Sequence, residues 1–477
     1  MMLIHAAIVV FIGVRVVMRR SARGIALSWL LLVATLPIVG ASLYLLIGER
    51  RIGRKRSGSI TALRADFRQI ARATIPADFT AVDWASLPAA AQAMDRLGRT
   101  LVGGATIRGN AFKLLTDTQS ILAAIVHDVD AAKTSVLMEF YIWHEGGAAD
   151  EVLEAVLRAA GRGVRCLLLI DALGARPWWK GGQPKRLRDA GVQLRAALPV
   201  GLVRTLVGRT DLRLHRKIVV IDGMAAWTGS MNLVDPRYFK QDSGVGEWVD
   251  AMVRLEGTVV NPLAGILIGD WNLETGESVQ ELIDAAGLGK AQPLGTANIQ
   301  VVPSGPGESE DGLLQMILGL INAAQHELVL TTPYLVPDDP MILALRGAAG
   351  RGVEVTLIVP EKVDSFLTRY ASRSYYDDLL DAGVVVQLYR GGLLHTKSIT
   401  VDETMSMFGT VNFDMRSLWL NYEVALFVYQ REFAGALRGL QRSYVGQSRQ
   451  LDPSVWATRP FGERLIENTL RLFSPLL

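Results

Sequence analysis

One phrase is written twice in this chain. His215-x-Lys217-x4-Asp222, followed by Gly229-Ser230-x-Asn232, returns as His395-x-Lys397-x4-Asp402 with Gly409-Thr410-x-Asn412. The block Ala159-Ala160-Gly161-Arg162-Gly163-Val164 returns as Ala348-Ala349-Gly350-Arg351-Gly352-Val353, Asp189-Ala190-Gly191-Val192 as Asp381-Ala382-Gly383-Val384, and all keep their order. Spacings between paired blocks are similar but unequal, and far longer than the roughly 20–50 residues of a solenoid repeat. A single copy would pass for a surface strand with ordinary polar residues. Two copies in register indicate a duplicated unit, with one site assembled from two halves that each give a histidine, a lysine and an asparagine.

Within each copy, apolar runs alternate with segments of helical period, which predicts α/β architecture. The first copy reads as strands over 111–115, 135–143, 164–170 and 217–222, with helices over 117–131, 150–160 and 184–190. The second reads as strands over 327–332, 353–359, 384–388 and 397–401, with helices over 311–324, 340–349 and 372–382. The expected organisation is a first α/β domain over 103–273, a polar, Gly-containing connector over 274–297 and a second domain over 298–458, packed around one shared site. A helical linker over 49–102 precedes them, and an amphipathic helix over 459–477 follows. Leu465, Thr469, Leu472 and Phe473 share one face of that last helix, which is expected to pack on the body, with membrane-surface contact as the alternative.

The N-terminus is the most apolar part. Residues 24–48 carry no charged side chain and, at 1.5 Å per residue, suffice to cross a hydrocarbon core of about 30 Å. Residues 1–18 form a second apolar stretch, interrupted at Arg15, which is near enough to its end to snorkel. A transmembrane helical hairpin over 1–48, bent at Pro37, is therefore expected. A cleavable signal peptide fits less well, because no basic segment precedes the apolar core. Arg19, Arg20 and Arg23 behind the first stretch and Arg50, Arg51, Arg54, Lys55 and Arg56 behind the second pull against each other, so orientation stays open. The lone Cys166 excludes a disulfide framework within one chain. No His, Cys and carboxylate set has metal-ligand spacing, so neither metal nor cofactor is expected.

A phosphodiester repels nucleophiles, so a catalyst must neutralise its oxygens while offering a nucleophile and a proton for the departing alkoxide. The repeated residues meet those needs: one imidazole can attack phosphorus and the other can exchange protons. A spacing of two puts Lys217 and Lys397 on the same strand face as their histidines. Asn232 and Asn412 add amide donors, and Ser230 and Thr410 join them as expected phosphate-binding residues. Asp222 and Asp402, seven positions on, fall on the opposite face and are expected to act in turns. An attacking imidazole needs an acceptor on its other nitrogen, for which Glu423, Asp250 and, less well, Glu247 are candidates.

These residues resemble the phospholipase D superfamily, whose signature is this duplicated phrase, and within it the bacterial cardiolipin synthases. Leu214-His215-Arg216-Lys217, the run from Thr228-Gly229-Ser230 to Lys240-Gln241-Asp242, and Gly391-Gly392-Leu393-Leu394-His395-Thr396-Lys397 carry the likeness. Phe140-Tyr141-Ile142-Trp143, Thr332-Pro333-Tyr334 and Asp414-Met415-Arg416-Ser417-Leu418-Trp419-Leu420-Asn421 extend it over essentially the whole chain. Thr410 departs from the usual serine but keeps the hydroxyl. The resemblance implies transfer of a phosphatidyl group between two phosphatidylglycerol molecules, releasing glycerol, in a multi-pass protein of the bacterial inner membrane. It also implies His215 as nucleophile and His395 as acid and base, and counts Asp222 and Asp402 in the catalytic motif. The alternatives are a hydrolytic phospholipase D or nuclease with the same phosphate chemistry, or an inactive membrane scaffold. Near-balanced charge, formally +3, speaks against nucleic acid as partner; oligomeric state is not legible.

Overall fold

Strand for strand, the two copies of the repeat build the same half-sheet, and the halves meet edge to edge. The computed structural model describes residues 2–18, 23–48, 77–199, 211–289, 291–309 and 311–474. Its main sheet has 15 strands of mixed direction. The first half runs outward through Ile107–Leu115, Met252–Gly257, Ala225–Gly229, Ile218–Ile221, Ser135–Phe140, Arg165–Asp171 and Gln193–Ala197. The second runs the other way through Ala297–Ser304, Glu423–Tyr429, Met405–Gly409, Ser398–Val401, Glu327–Thr331, Glu354–Pro360 and Val385–Tyr389, with Ser448–Gln450 at its edge. The innermost strands pair antiparallel, Ile107 opposite Ile299 and Asn110 opposite Ala297. Antiparallel pairing of equivalent strands relates the halves by an approximate two-fold axis.

The motif strands Ile218–Ile221 and Ser398–Val401 are buried on both faces; the first reads as a continuous apolar run, and in the second the buried hydroxyls of Ser398 and Thr400 are satisfied by Gln441, at 3.0 and 2.6 Å. One core forms under the second half from Leu320, Leu328, Leu357, Ile399 and Phe427, and another under the first from Ile125, Val136, Leu168 and Trp227. Helix Ala89–Leu101 is no free linker. Its Ala91 and Met94 join the second-half core, and Asp95 accepts from Thr106 N at 2.8 Å. Two short 3-10 turns, Ala77–Thr80 and Trp84–Ser86, precede the helix, and residues 49–76 of the expected linker lie outside the described residues. The stretch read as a polar connector contains a further helix, Val279–Ala286, which buries Leu282 and Ile283.

The chain forms two units: Met1–Gly58 with Val200–Leu212, and Ser59–Pro199 with Arg213–Leu477. In the first, helix Met2–Met18 packs on the next helices through Ile12, Val16, Val33 and Tyr44. The second apolar stretch is broken into Arg23–Thr35 and Pro37–Leu43, because proline has no N–H to continue the ladder. Among the described residues, no helix is long and apolar enough to cross a membrane, so the expected pair of spanning helices is not seen as such.

The last helix, Phe461–Arg471, does pack on the body, but by its polar face: Glu467 is buried while Phe461, Leu465 and Leu472 face outward. This reverses the usual arrangement of an amphipathic helix.

Candidate active site

Each motif histidine is seated by the opposite half of the molecule. The short run before His215 lies along the second half, with His215 N donating to Tyr422 O at 2.9 Å and Tyr422 N to Arg213 O at 2.9 Å. Leu393–Leu394, just before His395, pairs parallel with Trp248–Val249 of the first half, and His395 N donates to Val249 O at 2.8 Å. In both cases the segment contacted leads directly into an acidic residue, and that acid meets the visiting imidazole. His215 Nδ1 lies 2.9 Å from Glu423 Oε2, and His395 Nδ1 lies 2.7 Å from Asp250 Oδ1. An ionised carboxylate only accepts, so each Nδ1 carries the proton and each Nε2 keeps a lone pair.

The acids are themselves fixed. Ser230 Oγ donates to Asp250 Oδ1 at 2.5 Å and accepts from Ala251 N at 3.1 Å. Thr410 Oγ1 donates to Glu423 Oε2 at 2.6 Å and accepts from Val424 N at 3.0 Å, while Asn421 Nδ2 supports Oε1 at 3.3 Å. The sequence reading assigned Ser230 and Thr410 to phosphate. Their hydroxyl protons are committed to the carboxylates instead, which puts them behind the histidines. Of the two candidate acids in the first half, Asp250 reaches an imidazole, and Glu247 supplies only its carbonyl, to Leu393 N.

Lys217 and Lys397 are wholly buried. Each ammonium group donates back to the carbonyl of its own motif histidine, at 2.6 Å for Lys217. Burial pulls Lys217 down to about 8, against the pull of Glu423 and Asp250, and pulls Lys397 well below the ordinary lysine value. Burial also lowers both imidazoles to about 4, an effect the neighbouring carboxylates oppose and the lysines reinforce. Each histidine feels the lysine of the other copy as well as its own, as expected of one convergent cluster. Asp250 and Glu423 would be pushed up by burial, but their histidine and lysine neighbours hold both below the usual carboxylate value. The resting site therefore combines neutral imidazoles, ionised acids and two ammonium groups able to receive a phosphate anion.

Asn232 and Asn412 are buried at the start of the loops that follow the next strands. Asn232 Oδ1 accepts from Ile142 N at 3.1 Å, which leaves its amide nitrogen as the donor. Asp222 and Asp402, which the resemblance counts as catalytic, stand at the far ends of their strands from the histidines. Asp222 accepts from the backbone of Lys133, Thr134 and Ser135, and Asp402 from Gln325, His326 and Glu327. Both hold a left-handed turn, with φ of 53° and 50°.

Several contributors were quoted only as part of the resemblance or not at all, and none was assigned a role. Tyr141 packs edge-on to His215 at 5.1 Å, and Trp248 lies 4.3 Å from the His395 ring. Lys240 Nζ sits 5.5 Å over Trp248 and pairs with Asp364 at 2.9 Å. Arg216, the variable residue of the first motif, is buried; it donates to the carbonyls of Glu423 and Ser304, both at 3.0 Å, and pairs with Asp270. It clamps the first motif onto the second half, and Thr396 in the second motif bonds Tyr444 instead, at 2.9 Å. His144 packs edge-on to Phe239 at 5.2 Å.

Comparison with known proteins agrees with this picture. A family model described as cardiolipin synthase, PLD-like domain, matches residues 125–245 and again 317–440. A second, described as phospholipase D-nuclease N-terminal, matches residues 6–49. Cardiolipin synthase A of Edwardsiella ictaluri (strain 93-146) is 41% identical over 473 residues, covering 98% of this chain and 96% of the relative. The Erwinia tasmaniensis protein of the same name is 42% identical over 467 residues, with the same coverage. Among solved structures, phosphatidylserine synthase of Haemophilus influenzae Rd KW20 is 16% identical and superposes with a TM-score of 0.62, covering 81% of this chain and 100% of that one. That likeness is one of fold.

Proposed function

Because the chain belongs to the phospholipase D-like cardiolipin synthase family, we propose that it is a phosphatidyltransferase that makes cardiolipin and glycerol from two phosphatidylglycerol molecules. The observation that carries the reading is the crosswise seating of both histidines, which unites two distant motifs in one buried cluster with two lysines. In this mechanism the two ammonium groups and the asparagine amides take the phosphate oxygens. His215 Nε2 attacks phosphorus and the bond to the glycerol headgroup breaks. His395 delivers a proton to the departing glycerol, having gained it once the phosphate anion offsets the lysines. The same imidazole then removes a proton from a primary hydroxyl of the second phosphatidylglycerol, whose oxygen displaces His215 and forms cardiolipin. Equal numbers of protons enter and leave, as the transfer requires.

The reading extends to the N-terminal unit as a membrane anchor in a bacterial membrane. It is supported by the outward-facing Phe11, Val14, Val17, Leu27, Leu31 and Ile38 and by the family match over residues 6–49. In the same reading, 103–273 and 298–458 are the duplicated halves and 274–297 joins them. The test is lipid analysis after incubating the full chain in phosphatidylglycerol vesicles. Cardiolipin and glycerol are expected in equal amounts, and His215→Ala or His395→Ala abolishes both. Phosphatidic acid as the sole lipid product would favour hydrolysis.

A further inference from the structure

The helix Phe461–Arg471 turns its apolar side away from the protein. Its polar side is held by ion pairs: Glu467, 1% exposed, accepts from Arg373 Nε at 2.6 Å and from Arg459 Nε at 3.3 Å. Glu463 accepts from Arg373 Nη2 at 3.0 Å, and Arg471 Nη1 reaches Asp378 at 2.8 Å. The opposite stripe is left bare, with Phe461 78%, Leu465 55% and Leu472 79% exposed, flanked by Ile466 at 45% and Phe473 at 49%. The neighbouring helix Phe366–Arg373 adds Phe366 and Leu367, 64% and 47% exposed. Water-facing apolar side chains concentrated on two adjoining helices mark an interaction surface.

We infer that these two helices seat the catalytic unit on the surface of a bilayer containing anionic phospholipid. Two observations select that occupant. The exposed cations Arg464, Arg369 and Lys362 lie on or beside the two helices, while both acids of the last helix are engaged by arginines. Such a fringe complements anionic headgroups; a second copy docked face to face would bring the same cations together. The patch also adjoins the site. Asp364, two residues before Phe366, accepts from Tyr334 Oη at 2.8 Å and from Lys240 Nζ at 2.9 Å, and Lys240 covers Trp248, whose ring packs against His395 at 4.3 Å. A lipid headgroup taken from a leaflet under these helices therefore enters next to the reacting groups. This role rests on the phospholipid-transfer reading, and its test separates the two.

The test uses the full chain with Leu472→Cys carrying an environment-sensitive fluorophore. Cys166 does not compete, because it is buried and its thiol is pushed up to about 12. In vesicles containing phosphatidylglycerol, lipids brominated along the acyl chain are expected to quench the label. Absence of quenching, whether the label stays in water or is covered by another copy, overturns the inference whatever the enzyme does. The double variant Phe461→Ser/Leu472→Ser is expected to lose at least about tenfold in kcat/KM on vesicle phosphatidylglycerol and to match the unmodified chain on a short-chain, monomerically dispersed phosphatidylglycerol. Equal activity of the two proteins on vesicles overturns it too. Failure of the unmodified chain on both substrates would instead sink the transferase reading, with quenching still deciding the docking role.

Discussion

His215 and Glu423 are 208 residues apart in the chain and 2.9 Å apart in the fold. With the mirror pair His395 and Asp250, 145 residues apart and 2.7 Å distant, this crossing makes each half incomplete alone. A histidine without the other half's acid would keep its place just before the motif strand but lose the partner that fixes its tautomer.

Glu423→Gln and Asp250→Asn are each expected to lower kcat by about 10²- to 10⁴-fold with the fold intact, because an amide can donate to Nδ1 and move the ring proton onto Nε2. The two variants should part on a phosphatidyl ester of p-nitrophenol, whose leaving group needs no proton. If His215 is the nucleophile, Asp250→Asn retains a stoichiometric burst of p-nitrophenol on that ester and Glu423→Gln loses it. The reverse pattern would exchange the roles of the histidines. Thr410→Val, which removes the hydroxyl that donates to Glu423 and accepts from Val424 N, should cost about tenfold.

The pH profile follows from the buried charges. His215 must be neutral to attack, and its value of about 4 keeps it neutral until pH falls through that range. Lys217 must be charged to hold phosphate, and at about 8 it loses its proton as pH rises through that range; Lys397, also lowered, acts in the same direction. The expected kcat/KM falls as pH drops through about 4, declines gradually above it because His395 must first gain a proton, and drops more steeply from about 8 at the latest, measured as initial rates at fixed vesicle composition. An acid limb at the ordinary imidazole value of 6.5 would show that the histidines are solvated as the enzyme works.

The site's chemistry was legible because it is written in residue types: two histidines, two lysines and two asparagines repeat in register, and Glu423 and Asp250 follow them. The pairing was not. That His215 meets Glu423 rather than an acid of its own half depends on the edge-to-edge join of Ile107–Leu115 with Ala297–Ser304, which no local pattern encodes. Central strands such as Glu423–Tyr429, buried at every position, lack the alternation that marks a strand. The hydroxyls of Ser230 and Thr410 suit a phosphate as well as a carboxylate, and only the positions of Asp250 and Glu423 decide between them. On the last helix the apolar stripe was visible, but the direction it faces is set by Arg373 and Arg459, remote in sequence or outside the helix.

Asp222 and Asp402 give the final prediction, because their place in the motif invites a catalytic role that their surroundings oppose. Asp222 Oδ1 accepts from Thr134 N at 2.7 Å, Thr134 Oγ1 at 2.8 Å and Ser135 N at 2.9 Å, and Oδ2 from Lys133 N at 2.9 Å. Burial alone would raise this carboxyl, but those donors outweigh it and hold it below the ordinary value of 3.8. A depressed folded value means the carboxylate stabilises the fold at neutral pH and loses that contribution as pH falls below 3.8. Asp222→Ala is therefore expected to cost about 1–3 kcal/mol, read as a Tm lower by a few degrees, with kcat of the folded protein within about threefold of the parent. The penalty should shrink on moving from pH 7 toward pH 3. Asp222→Asn, which keeps an acceptor and tolerates the left-handed turn, should recover part of the loss. A fall in kcat of several orders of magnitude at unchanged Tm would instead return this aspartate to the chemistry.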